Sequence, residues 1–206
     1  MLAGRRQLPL WLKLAFSLWI LFWAPTYVVL IGAQNFFWLC DLANFLLLVG
    51  LWTESRRLLS MQLLSVLLVG VLWAVDVGTA LVTGVHPIGG TEYMFDPGHP
   101  PVTRALSLFH LILPIVAVFA VSRLGYDRPA IFWQTALTWL VIPLSYVFTD
   151  PERNINWVQG PFGQPQDSLD PLVYLVGLML LWPLVIYLPV HLLLIGLQHW
   201  RVRHRQ

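Results

Sequence analysis

The sequence predicts an all-α polytopic membrane protein, a six-helix transmembrane bundle with N-terminus and C-terminus cytoplasmic. Three observations lead there. Of 206 residues, 58% are hydrophobic and 11% charged, against about 25% charged in soluble domains. Apolar runs close to the roughly 20 residues that cross about 30 Å of hydrocarbon recur six times. The basic residues then fall almost entirely on one side of the bilayer. This composition excludes a disordered chain, a coiled coil and an ordinary cytosolic domain. One cysteine excludes an intramolecular disulfide and a Cys-rich metal site. Eleven Trp and fifteen Pro suit aromatic belts and kinked helices.

The six runs cover approximately 10–31, 36–52, 58–82, 105–121, 130–148 and 172–197 of a single domain, 1–206. The first follows Arg5 and Arg6, as a signal peptide would. It is too long for one, contains Pro25 and lacks a small-residue cleavage site, so it reads as a retained helix. The second and fourth are short. The connections 83–104 and 149–170 are rich in Gly, Pro and Asn and read as ordered turns or lids on the outer side. No internal repeat or broken-helix pair of the transporter type is evident.

Charge supports this threading. Arg5, Arg6, Lys13, Arg56, Arg57, Arg123, Arg128, Arg201, Arg203 and Arg205 fall inside, and only Arg104 and Arg153 outside. Most acids lie in the outer loops: Glu92, Asp96, Asp150, Glu152, Asp167 and Asp170. The expected location is therefore a multi-pass protein of the bacterial cytoplasmic (inner) membrane, with membrane lipids as partners and no nucleic acid.

Two acids stay within the runs, Asp41 and Asp76, each costing about 2.5 to 3.5 kcal/mol on insertion scales. Counted from the run ends at 1.5 Å per residue, Asp41, Asp76 and His110 all lie about 8 to 9 Å below the outer boundary. Cys40 and Asn44 accompany Asp41, Thr79 accompanies Asp76, and Ser107 accompanies His110 at helical spacing. Such faces are expected to meet as an outward-facing polar pocket, although a single intramembrane Asp or His commonly just bonds a neighbouring helix. Tyr93, Asn156 and Trp157 are candidates to cover its entrance. His191 lies about 20 Å deeper than His110, which excludes a bis-His haem pair. His86, Asp96, His99 and His110 match no compact ligand spacing, so neither metal nor other cofactor is expected.

A thiol, an imidazole and a carboxylate can support acyl transfer: Cys40 or Asp41 as nucleophile or acid, His110 as base, Asp76 as orienting group, with Asn44 donating to an oxyanion. The depth suits a lipid ester. The alternatives are a small transporter or binding protein with an Asp/His proton or cation site, and a structural or assembly protein. A transporter predicts a polar line continuing past Gln134, Thr135 and Thr138 toward His191.

The segments Leu39-Cys-Asp-Leu-Ala-Asn44, His110-Leu-Ile-Leu-Pro114, Gly125-Tyr-Asp-Arg-Pro129 and Asn154-Ile-Asn-Trp-Val-Gln-Gly-Pro161 resemble the androgen-induced-gene type of integral-membrane hydrolases. That family uses an intramembrane Thr and His on fatty-acid esters of hydroxy fatty acids, and related membrane acyltransferases use Cys and His. The resemblance implies a hydrolase or acyltransferase with His110 as the family histidine. The family Thr precedes an Asn by three residues, which puts Asp41 at the nucleophile position when anchored on Asn44. Cys40 precedes Asn44 by four. The chain also resembles uncharacterised bacterial integral-membrane proteins, through Asp41, Asp76, Tyr93-Met-Phe-Asp96 and Leu108-Phe-His110; that likeness implies no activity.

Overall fold

A computed structural model describes Gln7–Arg203. Arg5, Arg6 and Arg205, assigned above to the inner side, lie outside the described residues, and of Arg201 only the backbone is described. The described chain is all-helical. The helices are α1 (Leu10–Ile31), α2 (Leu39–Thr53), α3 (Arg56–Thr83), α4 (Pro101–Leu106), α5 (Phe109–Leu124), α6 (Ala130–Phe148), α7 (Pro171–Leu181) and α8 (Leu188–Arg203). Five stretches are long and apolar enough to cross a membrane: Leu10–Ile31, Arg56–Thr83, Pro101–Leu124, Ala130–Phe148 and Pro171–Trp200. The sixth apolar helix, α2, has 15 residues.

Three expected boundaries move, each for a visible reason. The second run starts as a helix at Leu39, not at residue 36, because Ala33–Phe37 form a tight 3-10 turn and Trp38 is extended. A remote side chain fixes that start: Asn156 Oδ1 accepts from the Leu39 N–H at 3.0 Å, and its Nδ2 donates to the Phe37 carbonyl at 2.7 Å. The fourth run begins at Pro101, inside the expected outer loop, and breaks at Ser107–Leu108. Its break is marked by i→i+3 bonds: His110 N–H to the Ser107 carbonyl at 3.1 Å and Leu111 N–H to Leu108 at 3.0 Å. The sixth run extends to Arg203 through a π-helical stretch, Trp182–Tyr187. Pro183 and Pro189 lack N–H groups there, and a widened turn absorbs the missing bonds.

Helix α3 is central, packing chiefly against α5, α2 and α6. It approaches α5 tightly at Gly70, where an added Cβ would lie 2.6 Å from the His110 carbonyl oxygen and also overlap the Pro114 ring. Pro114 cannot donate to that carbonyl four residues back, so the oxygen turns to the neighbouring helix. Small residues permit such approach where lipid supplies no hydrophobic drive between helices. Beside this seam, fully buried Trp23 of α1 is ringed by Tyr27, Phe36, Phe45 and Phe109, with centroids 4.9 to 5.6 Å away. The outer surface is apolar instead of charged: Val29 is 82% exposed and Phe132 75%. That inversion of a soluble protein's pattern fits a hydrocarbon surround.

Ionic and polar ties concentrate at the two ends. At one, Lys13 pairs with Glu54 at 2.7 Å and Arg57 with Asp127 at 3.1 Å. At the other, Arg153 donates to Asn35 Oδ1 at 3.0 Å and to the Ile31 carbonyl at the end of α1, while the Asp150 N–H donates to Gln34 at 2.9 Å. The segment 149–170 is thereby locked to the α1–α2 junction.

Candidate functional site

The two acids within the apolar helices have different fates. Asp76, two turns from the C-terminal end of α3, is fully buried and saturated with hydrogen bonds. One oxygen accepts the backbone N–H groups of Ile88 (2.6 Å) and Gly89 (3.0 Å). The other accepts the Thr91 hydroxyl and faces His86 Nδ1 at 3.0 Å. Gly89 and Gly90 have φ of +90° and +85°, so the chain can fold back over the carboxylate where a side-chain-bearing residue would be strained. Asp76 therefore anchors the loop 83–104. The expected role of orienting His110 is not what its contacts describe.

Asp41 is the contrast. It sits in the first turn of α2 and is only 2% exposed. Among the described residues no group donates a hydrogen bond to its carboxylate. Tyr27 of α1 and Tyr93 of the loop lie close enough to feel the charge of Asp41 and Cys40, and both face Ser107 at the α4–α5 break. Burial pushes the Tyr93 phenol up, the Ser107 hydroxyl and the Trp73 N–H beside it pull it back, and Cys40 and Asp41 push it further up. Trp73 Nε1 donates to the Tyr93 hydroxyl at 3.2 Å. The start of α2 is the positive end of its helix dipole, which favours a carboxylate at position 41.

His110 joins through Trp73. The two rings stack at 5.2 Å and 8°. His110 Nδ1 lies 2.8 Å from the Ser107 carbonyl, so Nδ1 carries the proton and donates to that oxygen, which leaves Nε2 as the acceptor. A backbone carbonyl thus orients this imidazole. Tyr93, held by Trp73, lies between two sets of groups: Cys40 and Asp41, whose charges it feels, and Ser107 and the Trp73–His110 stack.

The other candidates take structural positions. Asn44 accepts from Trp19 Nε1 at 3.0 Å and donates to the Cys40 carbonyl at 3.3 Å, tying α1 to α2. Asn156 also donates to Ser145 of α6 at 2.9 Å, so it joins the loop 149–170 to two helices. Trp157 packs on Phe162 at 4.9 Å and beneath Gly90, bringing the loops 83–104 and 149–170 together. Thr79 is partly buried one turn beyond Asp76, its carbonyl accepting the Thr83 hydroxyl. The participants that sequence reading passed over are Tyr27, Trp73 and Thr91, and His86, weighed only as a metal ligand, proves to be a partner of Asp76. Tyr27 had a signal, the four-residue aromatic spacing Trp19, Trp23, Tyr27.

Deeper in the bundle lies a second polar line. Gln62 reaches Gln134 at 3.5 Å, and Thr138 and Tyr187 share a 2.6 Å bond. Toward the basic end, Tyr126 bonds His191 Nδ1 at 2.6 Å. Among the described residues no three His, Cys, Asp or Glu side chains group as a metal site. No family model, curated protein or solved structure matches the chain.

Proposed function

We propose that this chain is a six-span protein of the bacterial inner membrane, both termini cytoplasmic, whose outer half holds a proton-binding site formed by Asp41 with His110. The observation that carries this reading is the isolation of Asp41: a buried carboxyl in a membrane segment that the fold does not consume. Burying such a group without a partner costs several kcal/mol unless it is protonated or bound. Tyr27 and Tyr93 lie within electrostatic reach of Asp41, and the His110 tautomer leaves Nε2 as an acceptor. The inner line of Gln62, Gln134, Thr138 and Tyr187, followed by Tyr126 and His191, extends polarity toward the other side, as a transporter would need.

The test is infrared spectroscopy of the protein in nanodiscs as pH is varied. A protonated-carboxyl band that titrates in wild type and in Asp76→Asn, and is absent in Asp41→Asn, is expected. Asp41→Asn should fold within about 1 kcal/mol of wild type, because no hydrogen bond is lost. Persistence of the band in Asp41→Asn would sink the assignment.

A second reading, hydrolysis or transfer of an acyl group on a lipid ester, draws on the His110 tautomer. With Nδ1 held by a carbonyl, Nε2 can act as base toward the Cys40 thiol. It predicts lipid-ester turnover that His110→Ala and Cys40→Ser each abolish. Full activity in both variants would end it.

The topology has its own check. In a Cys40→Ser background, cysteines placed at Phe162 and Arg128 should react with a membrane-impermeant maleimide from opposite faces. Labelling of Phe162→Cys only from the outside is expected, and labelling of both from one face would overturn the six-span arrangement.

A further inference from the structure

The end of the bundle opposite the Asp41 site carries a cleft of about 620 Å³, between the first turn of α1, the α2–α3 turn and the end of α5. Three cations from three helices line it: Lys13, Arg56 and Arg123, against one acid, Glu54. Its volume is within the range of small-ligand sites, and its formal balance is positive. The charges are fixed in place. Glu54 has left-handed backbone (φ +48°) and bonds Lys13 at 2.7 Å and the Leu8 N–H at 3.2 Å, which holds the lysine at the cleft wall. Arg56 lies against the 125–126 turn, its guanidinium 3.4 Å from the Tyr126 carbonyl and 3.2 Å from where a Cβ on Gly125 would sit. Arg123, on the last turn of α5, rests over the Phe119 ring of its own helix at 5.3 Å. Trp52 completes the wall, 47% exposed, with Lys13 over its ring at 5.9 Å and its Nε1 donating to Ser17. A half-exposed Trp at a helix end marks the headgroup level of a bilayer. Basic pockets between helices at that level are where anionic headgroups dock.

We infer that this cleft binds an anionic phosphate group, with Arg56 and Arg123 as its principal ligands and Lys13 completing the charge. Arginine presents paired N–H donors that match phosphate oxygens, and among the described residues Lys13 is the one cation of the three paired with a carboxylate. The same chemistry serves a phospholipid headgroup or a free phosphate, and the experiment separates them.

Purified protein in neutral detergent would be titrated separately with phosphatidylglycerol, phosphatidylcholine and inorganic phosphate, following thermal unfolding and lipid retention by native mass spectrometry. A rise in Tm with phosphatidylglycerol and not phosphatidylcholine is expected, with affinity falling about fivefold for each cation removed in Arg56→Gln and Arg123→Gln. A rise with inorganic phosphate alone that the same variants lose would support the site and identify a free phosphate as its occupant. Arg128→Gln, at the same end but outside the cleft, should leave the titration unchanged. Arg56 also braces the 125–126 turn, so Arg123→Gln is the decisive variant should Arg56→Gln unfold. Equal response to phosphatidylglycerol in wild type and Arg123→Gln, or no response to any phosphate, overturns the inference.

Discussion

Replacing Asp76 by Ala is expected to lower the unfolding free energy by about 4 kcal/mol and to release the loop 83–104. The magnitude follows from what is left behind. Two backbone N–H groups, a threonine hydroxyl and a histidine ring all address this carboxylate. Orphaning one buried partner costs about 1 to 3 kcal/mol, and breaking a buried ionic cluster about 3 to 5. Asp76→Asn should cost roughly half as much. Its amide oxygen can still accept from Ile88 and Gly89, while its NH₂ meets the Thr91 hydroxyl and the His86 ring less favourably. Limited chymotrypsin digestion reports the loop directly, since Tyr93 and Phe95 lie within it. Cleavage there should rise steeply in Asp76→Ala, less in Asp76→Asn, and not at all in Asp41→Asn. If Asp76→Ala resists both chymotrypsin and denaturant like wild type, the anchoring role is wrong.

The same residue shows where sequence reading stops. Depth arithmetic placed Asp41, Asp76 and His110 at one level by counting residues from apolar run ends. Its starting point holds for Asp76, because α3 runs on unbroken to Thr83. The starting points shift for the other two. Asp41 is in the first turn of α2, and His110 is the second residue of α5 beyond a break. Both starts are set by contacts from far along the chain or by local 3-10 geometry, which hydropathy does not record. Helices α1 and α6 were legible to the residue, since Gly32 terminates α1 and Pro129 precedes α6. The partner of each polar group was the hardest part. His86 and Thr91 approach Asp76 only because Gly89 and Gly90 reverse the loop. A Gly-Gly pair announces a turn without saying what the turn covers. Composition showed which side chains were too polar for lipid. It could not show that the fold satisfies Asp76 and leaves Asp41 without a donor.

Gly70→Val is expected to be as damaging as Asp76→Ala, through sterics in place of polarity. Even the Cβ of Ala would press on the His110 carbonyl and the Pro114 ring. Neither is a flexible side-chain end, so α3 and α5 must separate along the central seam of the bundle. Gly70→Ala should cost about 2 kcal/mol and Gly70→Val about 4, at and beyond the usual overpacking range. The separation would also disturb the Trp73–His110 stack one turn away, linking the seam to the site. Pro114→Ala supplies the control. It removes the ring and restores an N–H that can bond the His110 carbonyl within α5, withdrawing both obstacles together. The double variant Gly70→Ala/Pro114→Ala should therefore recover at least 1 kcal/mol relative to the sum of the singles, measured by chemical unfolding in detergent. Strict additivity would mean that the seam tolerates a methyl group and that the close approach at Gly70 is not what orders these helices.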